Sequence, residues 1–221
     1  MISKEIFDFL KELKSNNNRG WFNENKTKYQ KLKKEWENFV NAFIPEVASI
    51  DNSIGVIEPK DCIFRIYRDV RFSKDKSPYK TNFSSFFVKG GKKSGFAGYY
   101  IHLEPGSSFI GGGIHMPPGN ILKAIRTEIF DFTDEFKQII NNQEFKSYFS
   151  ELDAEKLKTA PRDFPGDFKD IELLKFKSYT IGKLVSEQEI ISNTFPNELK
   201  KAFKIMSPFI LFLNRAVEHN L

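Results

Sequence analysis

Between Lys4 and Lys14 the apolar residues Ile6, Phe9, Leu10 and Leu13 recur at a spacing that gathers them on one helical face, and Ser3 stands where it can cap the first turn. The tract Asn16-Asn17-Asn18-Arg19-Gly20 interrupts that pattern. From about Asn25 the series Tyr29, Leu32, Trp36, Phe39, Val40 and Phe43 predicts a long amphipathic helix reaching roughly Pro45, with a lysine-rich outer face. At Cys62 the period changes to two. Phe64 and Ile66 alternate with Arg65 and Tyr67, as in a half-buried strand. Residues 69–79 read as a loop, since Pro78 has no N–H to give to a ladder. Further strands are predicted over Thr81–Val88, Gly98–Glu104 and Phe109–His115, with one more around Ser178–Val185. Glu104-Pro105-Gly106-Ser107 is a type II turn sequence. Helical periodicity resumes after Pro117-Pro118-Gly119 and again after Thr194-Phe195-Pro196, where Leu199, Phe203, Met206, Ile210, Leu213 and Val217 face inward and Pro208 is expected to kink the axis.

This order of elements predicts one α+β domain over residues 1–221: a central antiparallel sheet of about four or five strands, packed by the N-terminal and C-terminal helices. Residues 62–115 are expected to supply about four of the strands. A two- or four-residue loop at the Glu104–Ser107 turn makes the numbers of facing residues sum to an odd value. Tyr100, His102 and Glu104 then share a face with Phe109, Gly111, Gly113 and His115, while Tyr99, Ile101, Leu103, Ile110 and Ile114 form the opposite, apolar face. Consecutive glycines in a strand pack nothing, so Gly111 and Gly113 imply that something comes close to the backbone: a ligand, a helix or an aromatic ring.

Composition narrows the possibilities. A chain that is 40% hydrophobic and 29% charged is not a disordered one, and 24 phenylalanines predict an aromatic core. No apolar run of about 18 residues occurs, which excludes a spanning helix. The first residues carry acids and lack the apolar core of a secretory signal. The single cysteine, Cys62, excludes an internal disulfide and a cysteine-rich zinc site, and a cytoplasmic location is expected. Neither a phosphate-binding glycine loop opening a helix nor a nucleophile elbow is present, and no cofactor is expected.

Charge is concentrated in one place. Seven bases and three acids lie between Lys60 and Lys80, nearly the whole net excess of +5. If the 64–67 strand joins the sheet, Arg65 and Tyr67 should lie beside His102, with Arg68, Arg71, Lys74, Lys76 and Lys80 rimming the same face. An arginine fork and lysine point charges suit phosphate or carboxylate. With Tyr100, Gly111 and Gly113 these residues form the predicted ligand site, and the expected partner is a phosphorylated small molecule or a nucleic-acid backbone. A solvated loop or a structural clamp is the competing account of the same charge. An enzymatic alternative is a small hydrolase acting on a phosphate-containing substrate, with His102 or His115 as acid or base and Glu104 beside them. A protein–protein adaptor is the third reading. His102, Glu104 and His115 share a face and are a conceivable metal set, although hydrogen-bonded polar side chains are the commoner outcome on a sheet.

Four segments, RGWFNENK, FRIYRDVRFSKDKSPYKTNF, GYYIHLEPGSSFIGGG and LKTAPRDFP followed by LLKFKSY, together resemble the Domain of Unknown Function 2461 family. In order and spacing they cover most of the chain. The resemblance implies a compact α+β domain in bacterial and fungal proteins and carries no reaction, ligand or site residue with it.

Overall fold

The computed structural model describes residues 1–149, 152 and 155–219. Its first helix, α1 (Lys4–Ser15), buries Ile6, Phe7, Phe9, Leu10 and Leu13. Ser3 does not cap it. Its backbone N–H and hydroxyl donate instead to Glu35, at 2.6 and 2.9 Å, which ties the first residues to the long helix. The asparagine tract opens a short helix, α2 (Arg19–Glu24), where Asn18 accepts from the Trp21 N–H. Helix α3 (Lys26–Ile50) passes Pro45 and ends a turn later than its periodicity predicts. One absent N–H did not stop it, because Val47 is buried beyond the proline.

The first departure from the strand pattern comes next. Pro59–Cys62 is a one-turn helix, α4, with proline near its start and a reciprocal Glu58–Asp61 capping box. Residues 63–67 do not form a strand. Ile63 bridges Ser85 and Tyr67 bridges Tyr79, and the Phe64 N–H donates to the Ser84 carbonyl at 3.1 Å. These contacts are too scattered for a ladder, because the segment turns from the sheet edge to pair with residues 78–80 of its own loop.

The sheet is built from β1 (Phe83–Phe87), β2 (Gly98–Leu103), β3 (Phe109–Ile114) and β4 (Tyr179–Leu184), all antiparallel and in sequential spatial order. Residues 62–115 therefore supply three strands, and the fourth comes from near the C-terminus. Tyr100 faces Gly111 and His102 faces Phe109, the odd-sum register. The turn between them has Gly106 at φ 79° and a Ser107 N–H to Glu104 carbonyl bond of 3.0 Å, as a type II turn requires.

Helices α5 (Gly119–Asp131), α6 (Thr133–Asn141) and α7 (Gln143–Tyr148) follow β3, and α8 (Glu187–Ile191) follows β4. The last helix, α9 (Phe195–Glu218), continues through Pro208 and buries Leu199, Phe203, Met206, Ile210 and Leu213 against the sheet. Tyr99, Ile101, Leu103, Ile110 and Ile181 form the facing layer, and α3 and α5 flank α9. The architecture is α+β, with the helices on the apolar face of one sheet. Three buried hydrogen bonds lock the layers. Asn214 on α9 exchanges hydrogen bonds with the backbone of Ala97, and Tyr99 donates to Asp51 at 3.1 Å.

Candidate functional site

The other face of the sheet remains open. A cleft of about 1150 Å³ lies over it and continues round the edge of β4. Its walls carry the rings of Phe64, Phe86, Phe96, Tyr100, Phe109 and Tyr148. Lys92, Lys183, His102 and His115 supply its basic groups, and no Asp or Glu is among the described lining residues. Lys92 donates to the Lys60 carbonyl at 2.6 Å, and the Lys183 ammonium stands 4.0 Å from the centre of the Tyr148 ring.

Tyr100 and His102 on β2, and Glu104 one residue past its end, lie two residues apart and are joined side by side along one face. They form a chain of hydrogen bonds. Tyr100 Oη lies 3.0 Å from His102 Nδ1, and His102 Nε2 lies 3.1 Å from Glu104 Oε2. Glu104 also accepts from the Thr81 hydroxyl at 2.6 Å and the Ser107 hydroxyl at 3.2 Å. Burial works against its ionisation, but the bonds from Thr81, His102 and Ser107 outweigh burial and hold the carboxyl below its ordinary range. Burial raises the Tyr100 phenol, with the Ser84 hydroxyl opposing and the Glu104 charge reinforcing. The Phe109 ring stacks on His102 with centroids 4.9 Å apart and fixes the imidazole plane.

The glycines of β3 serve the chain itself. A Cβ on Gly112 would meet Met206 Sδ at 2.6 Å and the Gly98 carbonyl at 2.8 Å. A Cβ on Gly111 would meet the Ile181 carbonyl at 2.7 Å and the Phe109 ring at 3.4 Å. Gly113 has φ 116°, and a Cβ there would lie 2.0 Å from the Tyr179 carbonyl. Close strand, helix and ring packing therefore accounts for the glycine row without a ligand.

The basic stretch lies elsewhere than the cleft floor. Arg65 is exposed, and Phe64 takes the place beside Tyr100, with ring centroids 6.2 Å apart. Tyr67 turns toward α2 and packs on Phe22 and Tyr79. The expectation that Arg65 and Tyr67 share a face with His102 is thus corrected: the pairing breaks after Ile63, and the alternation shifts with it. Arg68 binds Asp75 and donates to the Ser77 carbonyl at 3.2 Å, Arg71 forks onto Asp69, and Lys76 donates to the Val70 carbonyl. Asp75 is held at about 2, first by the Ser77 hydroxyl and backbone N–H and then by Arg68. Lys80 sits 5.2 Å over the Phe64 ring, and its pKa is lowered by burial and by the Arg65 charge. Lys74 is exposed.

His102 and His115 line the same cleft from its two ends. His102 pairs with Phe109, and six residues of β3 separate that position from His115, about 20 Å along a strand. They cannot share a metal ion, so the set His102, Glu104 and His115 is withdrawn. Cys62 is buried, its thiol pushed up to about 12 by burial and then by Asp61, and it is no nucleophile. A second hollow of about 1040 Å³ between α6, α7 and α9 carries Lys200, Lys201 and Lys204 but no comparable relay.

A family model described as "Conserved hypothetical protein (DUF2461)" matches residues 5–212. The chain belongs to the DUF2461 family. No curated protein and no solved structure matches it. The site of this DUF2461 member is therefore read from its own residues. Sequence reasoning reached Tyr100, His102 and Glu104 and set Phe109 on their face, but missed Phe64, Lys92 and Lys183. Their signal was aromatic and basic residues flanking the glycine strands, outside the conspicuous charge cluster. Among the described residues no helix is long and apolar enough to cross a membrane.

Proposed function

We propose that the protein binds a phosphorylated small molecule carrying a flat ring, in the cleft over the open sheet face. One observation carries this reading: the cleft is lined by six aromatic side chains and by lysine and histidine, with no described carboxylate among them. Aromatic walls favour a planar group, with base stacking contributing ~1–3 kcal/mol where a nucleobase is the partner. Lys92 and Lys183, on a lining with no described carboxylate, favour an anion at the rim. This moves the anion site from the 60–80 loop, whose Arg68 and Arg71 are engaged by Asp75 and Asp69, to the sheet.

Calorimetric titration with adenosine monophosphate, adenosine and inorganic phosphate tests it. The monophosphate should bind tighter than either fragment, and Lys92→Ala should weaken it about tenfold with little change in melting temperature. Absence of binding by all three would refute the reading. Loss of binding in an Arg71→Ala/Lys74→Ala variant, with Lys92→Ala unaffected, would return the site to the loop.

A further inference from the structure

The relay on β2 has a direction. Glu104 lies outside the cleft and is fixed by Thr81 and Ser107, whereas His102 and Tyr100 line it. An ionised carboxylate only accepts hydrogen bonds, so the Glu104 contact places a proton on Nε2 of His102. A ring protonated at Nε2 alone accepts at Nδ1, and the partner aimed at Nδ1 is the Tyr100 hydroxyl. The phenol thus already directs its proton at a base whose far side is held by a carboxylate. Nucleophile, base and orienting group at hydrogen-bond distances are the geometric signature of an activated nucleophile. Here Tyr100 and His102 lie on one strand, with spacing set by its pleat, and Glu104 stands one residue past its end.

We infer that Tyr100 is the nucleophile of a phosphoryl-transfer reaction, with His102 as its base and Glu104 as a positioning residue. The substrate class, a phosphate ester, rests on the anionic ligand proposed for this cleft. In the first step a bond forms between Tyr100 Oη and phosphorus as the bond from phosphorus to the leaving alcohol oxygen breaks. The phenol proton passes to His102 Nδ1, and the imidazolium is stabilised by Glu104. The alkoxide takes a proton from water. In the second step the resulting hydroxide bonds to phosphorus, the Oη–phosphorus bond breaks, and the phenolate recovers its proton from His102. Ester and water become alcohol and phosphate, and no redox partner is needed. Lys92 lies in the same cleft and can meet the charge on the transferred group.

The test needs no knowledge of the natural substrate. The full chain is incubated with an alkyl fluorophosphonate, whose fluoride leaves as Oη bonds to phosphorus, and the adduct is followed by intact and peptide mass spectrometry. One adduct on Tyr100 is expected, absent in Tyr100→Phe, at least tenfold slower in His102→Ala and several-fold slower in Glu104→Gln. Glu104→Asp should recover part of the loss. The pH profile of the labelling rate should change shape in His102→Ala, a change that a structural role for His102 would not produce. Circular dichroism verifies that each variant is folded. No adduct at Tyr100, or a Tyr100 rate indifferent to His102→Ala in a folded variant, overturns the assignment. Labelling and nucleotide titration are independent readouts. Binding without labelling removes only the nucleophile, and labelling without binding removes only the ligand class.

Discussion

Replacing Gly112 with alanine asks whether the glycines of β3 are held by packing. Its φ is not in the left-handed region, so an alanine there meets a problem of space and not of backbone conformation. The added methyl would stand 2.6 Å from Met206 Sδ, 2.8 Å from the Gly98 carbonyl and 3.2 Å from Ile210 Cδ1. The thioether can rotate away, but the carbonyl belongs to the neighbouring strand and moves only if β2 and β3 separate. Overpacking of this kind costs ~1–3 kcal/mol. The stiffer unfolded chain returns ~0.4–1 kcal/mol. The net loss should be about 1–2 kcal/mol, or roughly 2–8 °C in melting temperature for a chain of this size. Thermal unfolding followed by circular dichroism measures it, with Gly119→Ala as a control whose methyl meets nothing within 4 Å. A double-mutant cycle with Met206→Ala should relieve part of the cost, because the two sites share one space. An unchanged or raised melting temperature in Gly112→Ala would refute the packing argument and restore a ligand as the reason for the glycines.

Three further outcomes are expected. Arg68→Ala removes the donors to Asp75, Ser73 and the Ser77 carbonyl; melting should fall by no more than ~4 °C, while proteolysis within residues 69–77 speeds up, and an unchanged cleavage rate would contradict the clamp. Glu104 has a folded-state pKa below its unfolded one, so its contribution is complete above the unfolded value and is lost as pH falls through the folded value. Chemical denaturation across the acid range should therefore show a shallower acid limb in Glu104→Gln, and identical limbs would remove Glu104 from the account. Cys62, buried and raised to about 12, should resist a thiol reagent in the native protein and react fully in denaturant; fast native modification would show that the α4 turn opens.

The legible parts of the fold were those that depend on a single period. The register of β2 on β3 followed from parity alone, and Tyr100, His102 and Glu104 fell on one face because a strand alternates strictly. The long helices followed from the spacing of their apolar residues, although neither Pro45 nor Pro208 marked an end. The segment 63–67 failed because alternation there is real but unpaired: the loop closes on itself through Lys80 N–H to the Ile66 carbonyl at 2.7 Å. That one error carried Arg65 and Tyr67 to the wrong face and hid Phe64. The α4 turn was readable from Glu58-Pro59 and Asp61 but was not read, because attention to the period-two pattern began only at its last residue, Cys62. The bond between Tyr100 and His102 depends on side-chain rotamers as well as strand phase, and spacing alone does not supply them.

The order of the strands leaves β1 at an edge of the sheet. An open edge is a template on which another chain can add a strand. Here the outer side of β1 is partly taken: Ile63 bridges Ser85, and the Phe64 N–H occupies the Ser84 carbonyl. The covering segment is irregular, twists away after two contacts, and brings Arg65 and Lys80 to the same border. A second copy approaching that edge meets broken pairing and charge of its own sign. The densest positive stretch in the chain thus borders the β1 edge, where broken pairing and like charge disfavour strand addition by a second copy.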